Sequence, residues 1–379
     1  GKNNKGLRNR RKEIEWIAEG MIRAVALTAV LMVALIFIFI GWESLGIVFQ
    51  KTDNSKTADI IQPDQVGDVS RERLAEYLDM SVEELEEYDG ETLAMLLEVR
   101  SEELTEVNNP DSSLNTVSYR MIFFPYKWSG YEKSGYVWQP NSEIEKFNII
   151  PLVAGSLKAT VVALIFSLPL SLLAAIYVSE FAPRSIREVI KPVIELLAGI
   201  PSVVLGFFAL IVMASWMQFI FGYESRLNTL ISGIAIGIAV IPITFTITED
   251  AFRSVPYSYR EAALALGSTQ WQVAYKVVLP YALPGFFGAS VLGFGRAIGE
   301  TMIVLMASGN AAIISFSPFD SVRTMTATIA AELAEVAFGS SHYKMLFFIG
   351  AILFAVTLIS NFLGDVVIHN LKMRIEGKI

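Results

Sequence analysis

Residues 258–285 read SYREAALALGSTQWQVAYKVVLPYALPG. Ser258 and Glu261 make one capping-box pattern, and Thr269 and Gln272 make a second. Between them stands Gly267, the residue best able to take the left-handed conformation that ends a helix. The spacing predicts a helix over 259–266, a glycine turn, a helix over 270–278, and a stop at Pro280 and Pro284. Ala262, Ala263 and Ala265 then form a small-residue face. Two readings fit such a pair: a hairpin resting on lipid, or a platform that another protein's surface approaches closely.

Everything on either side of this segment is apolar. The 379 residues are 53% hydrophobic and 18% charged, with a mean hydropathy of +0.48. A soluble chain would carry about a quarter charged residues. The apolar residues gather into six runs, at 21–41, 149–178, 200–221, 228–249, 285–309 and 344–370, each near or above the roughly 20 residues a membrane-crossing helix needs. The chain therefore reads as an all-α membrane protein of six spans. Cysteine is absent and there are two histidines, His342 and His369, so thiolate chemistry and a histidine-rich metal site are excluded.

Charge orients the spans. The segments 1–20, 179–192, 250–284 and 370–379 carry fifteen of the thirty Lys and Arg residues. The long segment 42–148 has nine basic residues against twenty-two acidic ones. By the positive-inside rule both termini lie in the cytoplasm and 42–148 lies outside. The expected organisation is a basic tail (1–20), a first span (21–41) acting as an uncleaved anchor, and an acidic outer insertion (42–148). A five-span core (149–372) follows, with its cytoplasmic loop at 250–284, and then a short tail (373–379).

Within the insertion, Leu74, Tyr77 and Leu78 fall at helical spacing. Ser81 and Glu84 suggest a capped helix that Gly90 stops, and Leu93, Leu96, Leu97 and Val99 suggest a third helix. The aromatic stretch from Thr116 to Pro140 alternates like strands or an extended segment. The insertion is read as a solvated cap with a small core; its exposed aromatics, Trp128, Tyr131, Tyr136 and Trp138, are the candidates for a docking surface. A net charge of −13 would repel an anion.

Charges inside spans are costly, about 2.5–3.5 kcal/mol each on insertion scales. Lys158 sits early in its run and is expected to snorkel. Arg296 and Glu300 fall mid-span and four apart, which predicts a shared helix face, with Gly295 and Gly299 allowing close packing. They fit a structural ion pair, or an anion site in which a guanidinium holds two oxygens of a tetrahedral oxyanion. Thr301 is grouped with them. Gly199-Ile200-Pro201-Ser202 is expected either to kink the helix or to interrupt it and turn N–H groups towards an anion, with Ser202 at the break. Arg323 is a candidate for the path's entrance, against a solvated surface arginine.

The triplet Glu261-Ala262-Ala263, with Gly267 at +6 and then Val277-x-Leu279-Pro280, resembles the EAA loop of ATP-driven importer permeases. The stretches WQPNSEIEKFNIIPLVAGSLKATVV (138–162), IYVSEFAP (176–183), KPVIELLAGIPSVVLG (191–206), GRAIGETMIVLMASGN (295–310) and VRTMTATIAAELAEVAFGSSHYKMLF (322–347) extend it. Together they resemble the phosphate permeases of the Pst system, closer to the PstC type than to PstA, over about 137–372. Residues 50–136 depart from that pattern. The resemblance implies a type I ABC importer permease fold in a prokaryotic inner membrane. It also implies Glu261, Ala262, Ala263 and Gly267 as the ATPase coupling residues, and Arg296 with Glu300 as residues of phosphate passage. Implied partners are a second, PstA-like permease, two PstB-like ATPases holding ATP and magnesium, a PstS-like external binding protein, and membrane lipid.

No GxxxxGK[ST], HExxH or GxSxG occurs, so no ATP or metal site is expected on this chain, and no nucleic-acid patch is present. The expected function is a transport subunit without enzyme activity. Permeation of sulfate or molybdate, or a sensor or scaffold built on the acidic insertion, are the alternatives.

Overall fold

The computed structural model describes residues 2–48, scattered positions between 74 and 99, and 119–375 apart from 129, 130, 143 and 144. The expected capped helix at Ser81–Glu84 lies outside the described residues, as does Tyr77. Its helices are α1 (Lys2–Val48), α2 (Tyr119–Phe123), α3 (Ile150–Phe181), α4 (Arg184–Ala198), α5 (Ser202–Phe221) and α6 (Thr229–Arg253). Then come α7 (Tyr257–Ala265), α8 (Gln270–Ile298), α9 (Met302–Ala307), α10 (Met325–Glu332) and α11 (Ser341–Ile375). Six are long and apolar enough to cross a membrane: α3, α5, α6, α8, Glu19–Ser44 within α1, and Ser341–Met373 within α11.

The core forms where α3 and α6 touch. Along α3, Gly155, Ala159, Ala163, Ser167, Ser171 and Ala175 recur every fourth residue, and all are buried. A stripe of small residues lets two backbones approach closely, which is how helices associate without a hydrophobic driving force in lipid. On α6, a Cβ added at Gly233 would meet the Val162 side chain at 2.5 Å, and one at Gly237 would meet Phe166 at 2.8 Å. A hydroxyl pair, Ser171 to Thr244 at 2.6 Å, crosses the same seam.

Span five differs from its sequence expectation at both ends. A π-helical turn, Ala274–Val278, joins the 270–273 helix to Leu279–Ile298. Pro280 therefore falls in the first turn, where no N–H is required, and Pro284 lies inside the helix. Neither proline stops the chain. The helix ends at Gly299, so Arg296 lies in its last turn and Glu300 lies beyond it. The expected shared face for that pair is absent. The close packing expected of Gly295 and Gly299 falls instead on Gly285 and Gly293. Cβ atoms there would meet Ala251 at 2.2 Å and Thr244 at 2.7 Å, both on α6.

In the insertion, buried Leu74, Ala75 and Leu97 pack with Leu78 and Leu93 as the helical spacing predicted, whereas Val99 is exposed. Tyr119–Phe123 is a short helix rather than a strand. Two-residue strands β1 (Trp138–Gln139) and β2 (Lys146–Phe147) pair antiparallel, with Trp138 opposite Phe147. Trp128 and Trp138 are 3% and 4% exposed, so neither offers a docking surface. Trp138 Nε1 donates to Glu332 (3.2 Å), and Trp128 Nε1 donates to the Gly135 carbonyl (3.2 Å). Burying an indole demands a partner for its N–H. Tyr131 and Tyr136 remain exposed.

Candidate functional site

Two breaks in the helical run place the site. The first is Gly199-Ile200-Pro201, between α4 and α5. Pro201 is extended, and Ser202 opens the next helix, whose Val204 and Leu205 N–H groups donate back to the Pro201 carbonyl (2.9 and 3.3 Å). The second is Gly299-Glu300-Thr301, between α8 and α9, which the sequence reading missed. Its signal was Gly299 followed by a β-branched Thr301. The Thr326 hydroxyl on α10 holds this break by donating to the Glu300 carbonyl (2.9 Å). The two restarted helices then meet. A Cβ at Gly206 on α5 would touch Met306 Sδ at 3.0 Å, and Ile303 Cα and the Met302 carbonyl at 3.2 Å. Broken helices at membrane depth are tolerated where they line a cavity.

Arg296 stands beside these breaks. Its Nε donates to the Ala239 carbonyl of α6 (3.2 Å), and no other hydrogen bond or ion pair to it is present among the described residues. It lines a cavity of about 350 Å³ with Glu195 and Ala198 of α4 and Ala239, Pro242, Ile243, Thr246 and Ile247 of α6. Glu300 is not ion-paired to it. Thr301 opens onto a different cavity of about 590 Å³, with Thr326, Leu333 and Leu353. Ser202 is half-buried and borders neither. The carboxylate that shares the Arg296 cavity is thus Glu195 and not Glu300. Glu195 was missed because it belongs to a helix that looked like loop.

Arg323 is not at an open entrance, nor is it a solvated arginine. Its side chain is 17% exposed and bridges Glu332 at 2.7 Å. Glu332 also binds His342 Nε2 (2.8 Å) and accepts the Trp138 indole. A buried carboxylate with three partners is a structural clasp, because removing any one leaves charge or polarity uncompensated. The Arg323 backbone is fixed as well, since a Cβ at Gly155 would lie 2.2 Å from its carbonyl oxygen.

At the other end of α6, α7 carries the 258–267 segment. Gly267 takes φ +83 and ends the helix as expected. Both arms of the Thr269–Gln272 capping box are made (3.3 and 2.9 Å). The Ser258–Glu261 box is not made: Pro256 caps the helix, which starts two residues sooner, placing Ser258 inside the first turn. Ala263 is buried in the core, so the small-residue face reduces to Ala262 and Ala265, exposed with Glu261. Around them, Tyr257, Tyr259, Leu264, Leu266, Trp271 and Tyr275 are exposed.

Arg260 fixes this platform to the body of the protein. It makes a bidentate bridge to Glu180 on the π-helical end of α3 (2.9 and 3.1 Å), and donates to the carbonyls of Val255 and Phe252. Nearby, Lys191 of α4 pairs with buried Glu249 (2.8 Å) and with Asp250 (3.3 Å). The hydrogen bond to Glu249 raises the Lys191 pKa above its ordinary 10.5, against desolvation.

Residues 149–376 match the family of binding-protein-dependent transport system inner membrane components. The chain belongs to that family. It is 35% identical to the probable ABC transporter permease protein YqgH of Bacillus subtilis, over 62% of this chain and 75% of that one. It is 34% identical to the phosphate transport system permease protein PstC of Mesorhizobium japonicum, over 64% and 77%. A chain of the MetNI methionine ABC transporter, seen in inward-facing conformations, aligns with a TM-score of 0.46 at 18% identity, over 58% and 95%. By its family and its six helices able to cross a membrane, this chain is an all-α ABC importer permease, a multi-pass inner membrane protein.

Proposed function

We propose that this permease lines the path of inorganic phosphate into the cell. The observation that carries the reading is Arg296, whose guanidinium, held through Nε alone, faces a cavity beside two broken helices. A guanidinium there presents paired donors to a tetrahedral oxyanion. Phosphate as the cargo is supported by the PstC relatives.

The exposed platform of Glu261, Ala262, Leu264, Leu266 and Trp271 suits docking by a cytoplasmic ATPase. Two PstB-like ATPases would hold ATP and magnesium, a second PstA-like permease would complete the path, and a PstS-like protein would deliver the anion outside. Both termini then lie in the cytoplasm, in agreement with the basic loops at that end. Vesicles reconstituted with the partner subunits are expected to import labelled phosphate only with ATP. R296Q is expected to abolish uptake while the complex still co-purifies. Uptake at the unaltered rate in R296Q would sink the reading.

A further inference from the structure

Helix α4 reads RSIREVIKPVIELLA. Arg184, Glu188, Lys191 and Glu195 recur at three- or four-residue intervals, so they form one polar stripe, while Ile190 and Ile194 pack on the core. Facing that stripe, α6 carries three successive rungs. Glu249 and Asp250 hold Lys191. Pro242, Ile243 and Thr246 line the cavity with Glu195. The Ala239 carbonyl holds Arg296. Lys191 is thus neutralised by its two carboxylates, whereas Glu195 has neither hydrogen bond nor ion pair among the described residues. Glu195 is exposed on this polar stripe and lines the same cavity as Arg296.

We propose that Glu195 is the residue that selects a protonated oxyanion over a fully deprotonated one; this rests on the reading of Arg296 as an anion-path residue. Phosphate near neutral pH keeps at least one O–H, whereas sulfate and molybdate keep none. An ionised carboxylate only accepts hydrogen bonds. Beside it, phosphate donates its O–H to Glu195 and accepts from Arg296 through its other oxygens. Sulfate in the same place sets lone pairs against lone pairs and like charge against like charge, with no hydrogen bond in return. Such a repulsive element is how a site rejects a near-isostere. The same carboxylate keeps phosphate from being held too tightly to leave, which a transport path requires.

The test uses the assembled permease–ATPase complex in lipid nanodiscs without the binding protein, and measures equilibrium binding of labelled phosphate and labelled sulfate. E195Q replaces an acceptor-only group by an amide that also donates. It is expected to raise sulfate affinity by about tenfold or more, with phosphate affinity changed by less than about threefold, as suits gain or loss of one charge-assisted hydrogen bond. E195D is expected to keep the discrimination, and R296Q to bind neither anion. A gain for sulfate cannot arise from damage to the fold. An unchanged sulfate-to-phosphate ratio in E195Q, or loss of both anions from an intact E195Q complex, overturns the assignment of selectivity while leaving Arg296 in the path. Undiminished binding of both anions by R296Q overturns the path reading itself.

Discussion

Arg296 combines a fixed and a free end. Nε is committed to a backbone carbonyl of the neighbouring helix, which orients the guanidinium plane. Lysine would keep the charge and lose both the plane and the paired donors. R296K is therefore expected to retain measurable phosphate uptake at about a tenth of the parent rate or less, in contrast to the null R296Q; initial rates in reconstituted vesicles separate the two. In the insertion, burial raises the Glu145 carboxyl above its ordinary 4.5, and His342 acts the other way with smaller effect. The folded chain then binds this proton more readily than the unfolded one. The associated stability is full below about pH 4.5 and is lost as pH rises through the folded value. E145Q is expected to raise the thermal midpoint by about 1 °C at pH 7 and to leave it unchanged at pH 4, read by a melting scan at both pH values.

At the scale of elements, one ion pair, Arg260 with Glu180, joins the platform to α3. E180Q removes the bidentate acceptor of Arg260 and leaves its guanidinium partly desolvated. We expect the assembled complex to hydrolyse ATP while transporting at a tenth or less of the parent ratio of phosphate moved per ATP, about 1.4 kcal/mol of coupling by the tenfold rule. The double exchange E180R/R260E should restore part of that ratio; no restoration would mean the pair is only structural. The packing of α3 on the 322–323 segment is less forgiving. G155A drives a methyl into the Arg323 carbonyl and is expected to cost about 1–3 kcal/mol, measured by loss of detergent-resistant fold.

The elements differ in how much of them the sequence disclosed. Span number, the Gly267 turn and the Gly199–Pro201 break were legible because each rests on local chemistry: apolar length, a left-handed glycine, a proline at a helix start. The end of α8 was not, because a glycine inside an apolar run reads equally as a packing residue or a stop, and tertiary contacts from Thr326 decide which. The π-helical turn that absorbs Pro280 likewise leaves no local mark. Pairing Arg296 with Glu300 followed from assuming an unbroken helix, whereas its companion Glu195 lies 101 residues earlier, on a separate element that only the fold brings near.

For the molecule as a whole, exposed aromatic and aliphatic side chains around Glu261 form a surface where apolar groups, a helix pair and a rigid anchor coincide outside the spans. Replacing Leu266, 88% exposed, by Glu is expected to leave the isolated permease folded and to reduce ATPase co-purification at least about tenfold; undiminished co-purification would place the ATPase elsewhere.

Glu332 gives the insertion two unequal parts. Through it, Trp138 is tied to Arg323 and His342, while Asn148 Nδ2 pins the Met121 and Phe124 carbonyls. The stretch from Tyr119 to Asn148 is thus the root of the appendage, and anyone trimming the protein should cut upstream of it. A shortened chain lacking 50–117 is expected to keep its thermal midpoint, whereas one cut to 50–147 should come loose at the mouth and aggregate on extraction from the membrane.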